Sequence, residues 1–119
     1  MHWKYLLFVA AVAVVPRISH AGPCGNVLAQ DALIKCLGGE FQKADKQLNK
    51  VYGELRARLD SDAKEMLKKA QLAWLSYRDN DCEFQAAAAA GGQAQNPLFI
   101  DCQTKKTLHR TQELKESGW

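Results

Sequence analysis

Histidine is nearly absent from this sequence: His2 and His20 lie within the first 21 residues, and His109 stands alone beyond them. Cysteine is limited to Cys24, Cys36, Cys82 and Cys102. Four cysteines is an even number, and in an exported chain they read as two disulfides, which leaves no thiol nucleophile and no zinc cluster. Ser76, His109 and an aspartate make a triad on paper only, since no motif places them together. Asp79 and Glu83 form an i,i+4 carboxylate pair, a spacing more often found in solvated helix charge than in glycosidase chemistry. The expectation is a protein with no catalytic residue, no metal site and no cofactor. Long hydrophobic runs are also lacking. The apolar stretch Tyr5 to Val15 has 11 residues, against the roughly 20 that a helix needs to span a bilayer. No segment alternates with the period of two that a strand requires, and the alanine run at 86–90 is the one low-complexity segment.

The short apolar run has another reading. His2 and Lys4 precede it and Ser19-His20-Ala21 follows it, which is the layout of an export signal with cleavage expected after Ala21. A lipid-attached start is not expected, because Pro23 precedes Cys24 where a lipobox has a small residue. The expected domains are a signal peptide at 1–21 and a helical domain at 22–119, in the periplasm or secreted, with no membrane anchor in the mature protein. Lys4 and Arg17 leave with the signal, so the formal net charge falls from +3 to +1. That balance offers nothing to attract nucleic acid or a membrane surface.

The 98 remaining residues make one small domain, for which covalent links are welcome support. After Gly38-Gly39, residues Phe41, Ala44, Leu48, Val51, Leu55 and Leu59 fall at three-four spacing and predict a helix with one buried stripe. Asp62, with Glu65 three residues on, predicts an N-cap and capping box for a second helix whose stripe is Ala63, Met66, Ala70, Trp74 and Tyr77. Gly91-Gly92 ends it, and Asn96-Pro97 predicts the start of a third helix through Cys102, Leu108 and Leu114. Cys24 to Leu37 reads as a short helical arm. The fold class is all-α: a small antiparallel bundle of three main helices plus an N-terminal helical arm, held by two disulfides.

Four cysteines permit three connectivities, and spacing alone does not formally choose among them. Geometry gives a preference. With a turn at Gly92, Cys82 and Cys102 are equidistant from it and face each other across an antiparallel hairpin, leaving Cys24 for Cys36. On the second helix Gln71, Trp74, Arg78 and Cys82 share an arc of roughly 80°. If Cys82 points inward, so do Gln71 and Arg78, and a buried charge needs partners. Asp45, Leu48, Asn49 and Tyr52 share one arc of the first helix, which predicts a cross-helix polar network of Asp45, Asn49, Gln71 and Arg78 beside Trp74 and Tyr52.

The segments "ADKQLNKVY" (44–52) and "AQLAWLSYRDNDC" (70–82), together with the four cysteines and Arg110, resemble the LprI-type lysozyme-inhibitor domain family from Cys24 to about Leu114. The resemblance implies a small exported helical protein with a protein partner, for which lysozyme is the candidate. The runner-up is an interaction or assembly protein of the cell envelope with another partner. Lysozymes are often basic, so the candidate contact surface is the group of acids Asp79, Asp81, Glu83 and Asp101 beside the loop "GGQAQNP".

Overall fold

The structure is a computed structural model that describes residues 22–119, so the predicted signal peptide lies outside the described residues. Three long helices account for most of it: α1 (Gln30–Ala57), α2 (Ser61–Ala86) and α3 (Gln95–Lys115). A short 3₁₀ turn, Ala87–Ala89, follows α2, and no strand occurs among the described residues. The all-α class and both predicted disulfides are observed: Cys24 to Cys36 and Cys82 to Cys102, with Cα atoms 5.8 Å and 5.6 Å apart.

The arm is where the structure departs from the expected outline. Residues around Cys24 form a turn, with the Gly25 N–H donating to the Gly22 carbonyl at 2.8 Å, and the helix then runs from Gln30 through Gly38-Gly39 to Ala57 without a break. Neither glycine takes a positive φ. Each costs about 1 kcal/mol of helix propensity relative to alanine, yet a glycine pair stops a helix only when nothing else fixes the backbone. Here the Cys24 to Cys36 link ties down the turn before the pair, and Leu33, Leu37 and Glu40 line a groove shared with α3.

The N-cap of α2 is Asp60 rather than Asp62: its Oδ1 accepts from the Ala63 N–H at 2.8 Å. At the other end Gly91 has φ +78°, a conformation that side chains disfavour, and it turns the chain toward α3. That helix begins at Gln95, with Pro97 inside its first turn, so Asn96 is not its cap.

α3 lies against both other helices and most closely against α1, running parallel to α1 and antiparallel to α2. Small buried residues, Ala44 on α1 and Thr107 and Thr111 on α3, suit that close approach, because interaxial distance follows the side chains at the contact. The hydroxyl of Thr111 donates to the Thr107 carbonyl at 3.0 Å, which makes threonine tolerable in the core. Leu48, Val51, Leu55, Leu59, Ala63 and Leu114 form the apolar centre, with Tyr52, Leu67 and Trp74 packed around it.

The buried face of α2 matches the predicted stripe only in part: Ala63 is buried and Trp74 packs against the core. Met66 and Tyr77 are 67% and 56% exposed, and Leu108 of α3 is 48% exposed. The rest of the buried face is Gln71, Arg78, Cys82 and Ala86. An apolar side chain left in water costs little, whereas Cys82 must face its partner, and that orientation sets the rotation of the helix.

Candidate functional site

Arg78 and Gln71 both point inward, as the shared arc with Cys82 predicted. Their partners differ from the predicted ones. Arg78 donates through Nε to Asp79 Oδ1 at 2.8 Å and through a terminal nitrogen to Thr107 Oγ1 at 3.3 Å. Its guanidinium carbon lies 5.3 Å from the ring centroids of both Phe41 and Trp74. One side chain therefore touches all three helices. Gln71 Oε1 accepts from Arg110 Nε at 3.0 Å, and Arg110 also sits 5.9 Å from the Trp74 ring centroid. Asp45 and Asn49 form no bond to α2; Asn49 Nδ2 donates to Asp45 Oδ2 at 3.4 Å along their own helix. The reason is the placement of α3. It presses against both neighbours, while α1 and α2 barely approach one another, so inward groups on α2 meet α3 first.

Phe41, Gln103, Thr107 and Lys106 were missing from the predicted network. The sequence signal was available, since Gln103, Thr107 and Arg110 recur at helical spacing on α3, but a search for apolar stripes passes over a polar one.

Replacing Arg78 by Met tests the brace. The substitution keeps much of the volume but removes two hydrogen bonds and two cation-aromatic contacts, so the denaturation midpoint is expected to fall by the equivalent of about 1–2 kcal/mol at unchanged m. Asp79 is 45% exposed on its side chain and can rehydrate, which limits the loss. An unchanged midpoint would mean that Arg78 braces nothing.

The four acids of the predicted contact surface do not form one patch. Asp79 accepts from both Arg78 and Gln103, the latter at 2.9 Å. Partial burial opposes its ionisation, but these hydrogen bonds and the Arg78 charge outweigh it and hold the carboxyl below its usual range. Asp81 sits on the other flank of α2 and pairs with Lys106 at 2.7 Å. The Lys106 hydrogen bond lowers the Asp81 pKa, and the same contact raises that of Lys106. Asp101 is bridged to Lys105 at 2.6 Å. Glu83 is exposed and has no ion pair among the described residues. Positions i and i+2 lie about 200° apart on a helix, which is why Asp79 and Asp81 diverge.

Of the paper triad, Ser76 Oγ is met by Asn80 at 3.5 Å and His109 by Glu113 at 3.4 Å. Among the described residues no group of three or more His, Cys, Asp or Glu is placed to hold a metal ion, and no helix is long and apolar enough to cross a membrane.

Two clefts open beside the brace. One of about 430 Å³ is lined by Trp74, Tyr77, Lys105, Lys106, His109 and Glu113, with Lys106 Nζ 4.8 Å from the Tyr77 ring centroid. The other, about 210 Å³, runs between α1 and α2 and is lined by Asp45, Leu48, Asn49, Tyr52, Lys68, Gln71, Leu72 and Leu75. Asn49 and Gln71 were predicted to be neighbours, and both line this groove.

Residues 24–114 match the family model described as lysozyme inhibitor LprI. The chain is 35% identical over 106 residues to an uncharacterized protein, R02472, of Rhizobium meliloti (strain 1021), covering 78% of this chain and 76% of that one. It is 30% identical over 95 residues to the uncharacterized protein YecT of Escherichia coli (strain K12), covering 67% of this chain and 59% of YecT. No solved structure matches it. With most of its length, including all four cysteines and both motif segments, inside the matched region, the chain belongs to the LprI lysozyme-inhibitor family.

Proposed function

We propose that this protein is exported, is cleaved after Ala21, and acts without catalysis by binding lysozyme in the periplasm or outside the cell. The observation that carries the reading is family membership over residues 24–114, joined to a scaffold suited to surface binding. The Cys82 to Cys102 disulfide and the Arg78 brace hold the three helices in fixed relation, the Cys24 to Cys36 link ties the N-terminal turn to α1, and a pre-ordered surface loses little entropy when a partner docks. Paired cysteines also fit an oxidising compartment.

Of the four acids Asp79, Asp81, Glu83 and Asp101, the contact of this reading falls on Glu83, since Arg78, Lys106 and Lys105 occupy the others. Glu83 gives the cleanest test because its reversal breaks no internal ion pair. The purified, oxidised mature protein is expected to inhibit lysozyme in a saturable dose response. Glu83→Lys is expected to weaken inhibition about fivefold, the worth of roughly 1 kcal/mol for a charge at an interface rim, with the loss growing at low salt. A wild-type protein that leaves lysozyme untouched at micromolar excess rejects the reading and directs attention to another envelope partner.

A further inference from the structure

The groove between α1 and α2 holds polar groups that the fold does not use. Asp45 has no cation partner among the described residues, and its one side-chain hydrogen bond comes from its neighbour Asn49. Gln71 is 8% exposed, and Arg110 occupies its oxygen. Gln71 also lines the groove, and its amide nitrogen has no hydrogen-bond acceptor among the described residues. The walls are apolar: Leu48 is buried, Tyr52 and Leu75 are half-buried, and Leu72 is 57% exposed. At about 210 Å³ the space is smaller than the several hundred Å³ of a typical small-molecule site, which suits one inserted side chain better than a free ligand.

Its surroundings indicate which side chain. Along α2 the positions Lys68, Leu72, Leu75, Asp79 and Glu83 follow one another at three-four spacing and make a single row on the flank facing this groove. The row runs from a cation at one end to acids at the other. Because α1 and α2 are antiparallel, Asp45 lies toward the acidic end and Lys68 about 10 Å away at the Tyr52 end, a separation over which physiological salt screens most of its repulsion. Lys46 and Lys50 project from α1 roughly 100° and 140° around the helix from Asp45. The two carboxylates of this face without a cation partner among the described residues, Asp45 and Glu83, thus both stand toward one end of an apolar trough.

We propose that the α1–α2 groove is the docking site for a basic segment of the protein partner, which inserts one arginine or lysine side chain against Asp45. Its aliphatic stem lies on Tyr52, Leu72 and Leu75, its charge meets the carboxylate that Asn49 orients, and Gln71 donates to a carbonyl of the incoming backbone. Glu83 meets a second cation further along the same row. This rests on the reading of the protein as a lysozyme inhibitor, since it supplies the contact that such a basic partner makes.

The test uses the oxidised mature protein and three variants, Asp45→Lys, Leu72→Glu and, as a control at the far end of α3, Glu116→Lys. Lysozyme binding is expected to weaken at least tenfold for the first two and to stay within twofold for the control, with all three keeping the wild-type melting temperature within a few degrees. A nitrogen-15 NMR titration with a hexa-arginine peptide provides an arm independent of lysozyme. The side-chain amides of Asn49 and Gln71 are expected to shift in the wild type and to stay put in Asp45→Lys. If wild-type protein ignores lysozyme yet these amides move, the lysozyme reading fails and the groove stands. If lysozyme is inhibited equally by wild type and Asp45→Lys, or the peptide moves only residues outside the groove, the groove is overturned.

Discussion

Replacing Cys82 and Cys102 together by alanine is expected to lower the unfolding free energy by about 3 kcal/mol and the melting temperature by about 12–20 °C. The link closes a loop with a sequence separation of 20, for which restriction of the unfolded chain accounts for roughly that amount. Its position adds to the effect. Cys82 is fully buried one turn beyond Arg78 on the same face, and Cys102 stands between one and two turns before Thr107 on α3. Cutting the link frees both anchors of the brace at once. The Cys24 to Cys36 link has a similar loop, with a separation of 12, but it ties a terminal turn to the start of α1. Its double alanine variant is expected to melt at a higher temperature than the Cys82/Cys102 variant and to show its damage as proteolysis and hydrogen exchange near residues 22–36. Thermal melts of the two variants side by side decide the matter. Equal losses would mean that the turn before α1 is part of the cooperative core.

The opposite sign is expected on α1. Gly38, Gly39 and Gly53 all lie inside the helix, none has a positive φ, and an added Cβ would meet nothing within 4 Å at any of them. Alanine at each is therefore expected to stabilise by about 1 kcal/mol, and the triple variant by about 2–3 kcal/mol, read as a rise in denaturation midpoint. Gly53 is far enough along the helix from the other two for the effects to add. The glycine pair also discriminates between two pictures of the molecule. If residues 38–39 were a hinge between an arm and a helix, alanine there would lower stability or change nothing, and helicity by circular dichroism would not increase. The same substitutions leave the α1–α2 groove intact, since Gly38, Gly39 and Gly53 are not among its lining residues.

Arg78 shows where sequence reasoning stopped. Its inward direction followed from helical angles and the need of Cys82 to face a partner, and the structure has it buried at 6% exposure. Its partners did not follow. Asp45 was the natural candidate on charge, but charge complementarity carries no information about which helices are adjacent. The candidate acids show the same limit. Asp79, Asp81, Glu83 and Asp101 are close in sequence or symmetric about the turn, yet among the described residues only Glu83 of the four lacks an ion pair, because Arg78, Lys106 and Lys105 take the others. The α1–α2 groove had no sequence signature as a cavity, although all of its lining residues except Lys68 lie within the two motif segments that carried the family resemblance.

By itself the sequence determined the helical class, the turn at Gly91-Gly92 and the inward direction of Gln71, Arg78 and Cys82, and it favoured the two observed disulfides, because each depends on local terms: periodicity, backbone freedom and the spacing of cysteines about a turn. Only the tertiary structure decided that α1 runs unbroken through Gly38-Gly39, that α3 rather than α1 satisfies Arg78 and Gln71, and that a groove stays open between α1 and α2. Those outcomes depend on how closely helices approach, which is set by small residues such as Ala44, Thr107 and Thr111 meeting across an interface from positions distant in the chain.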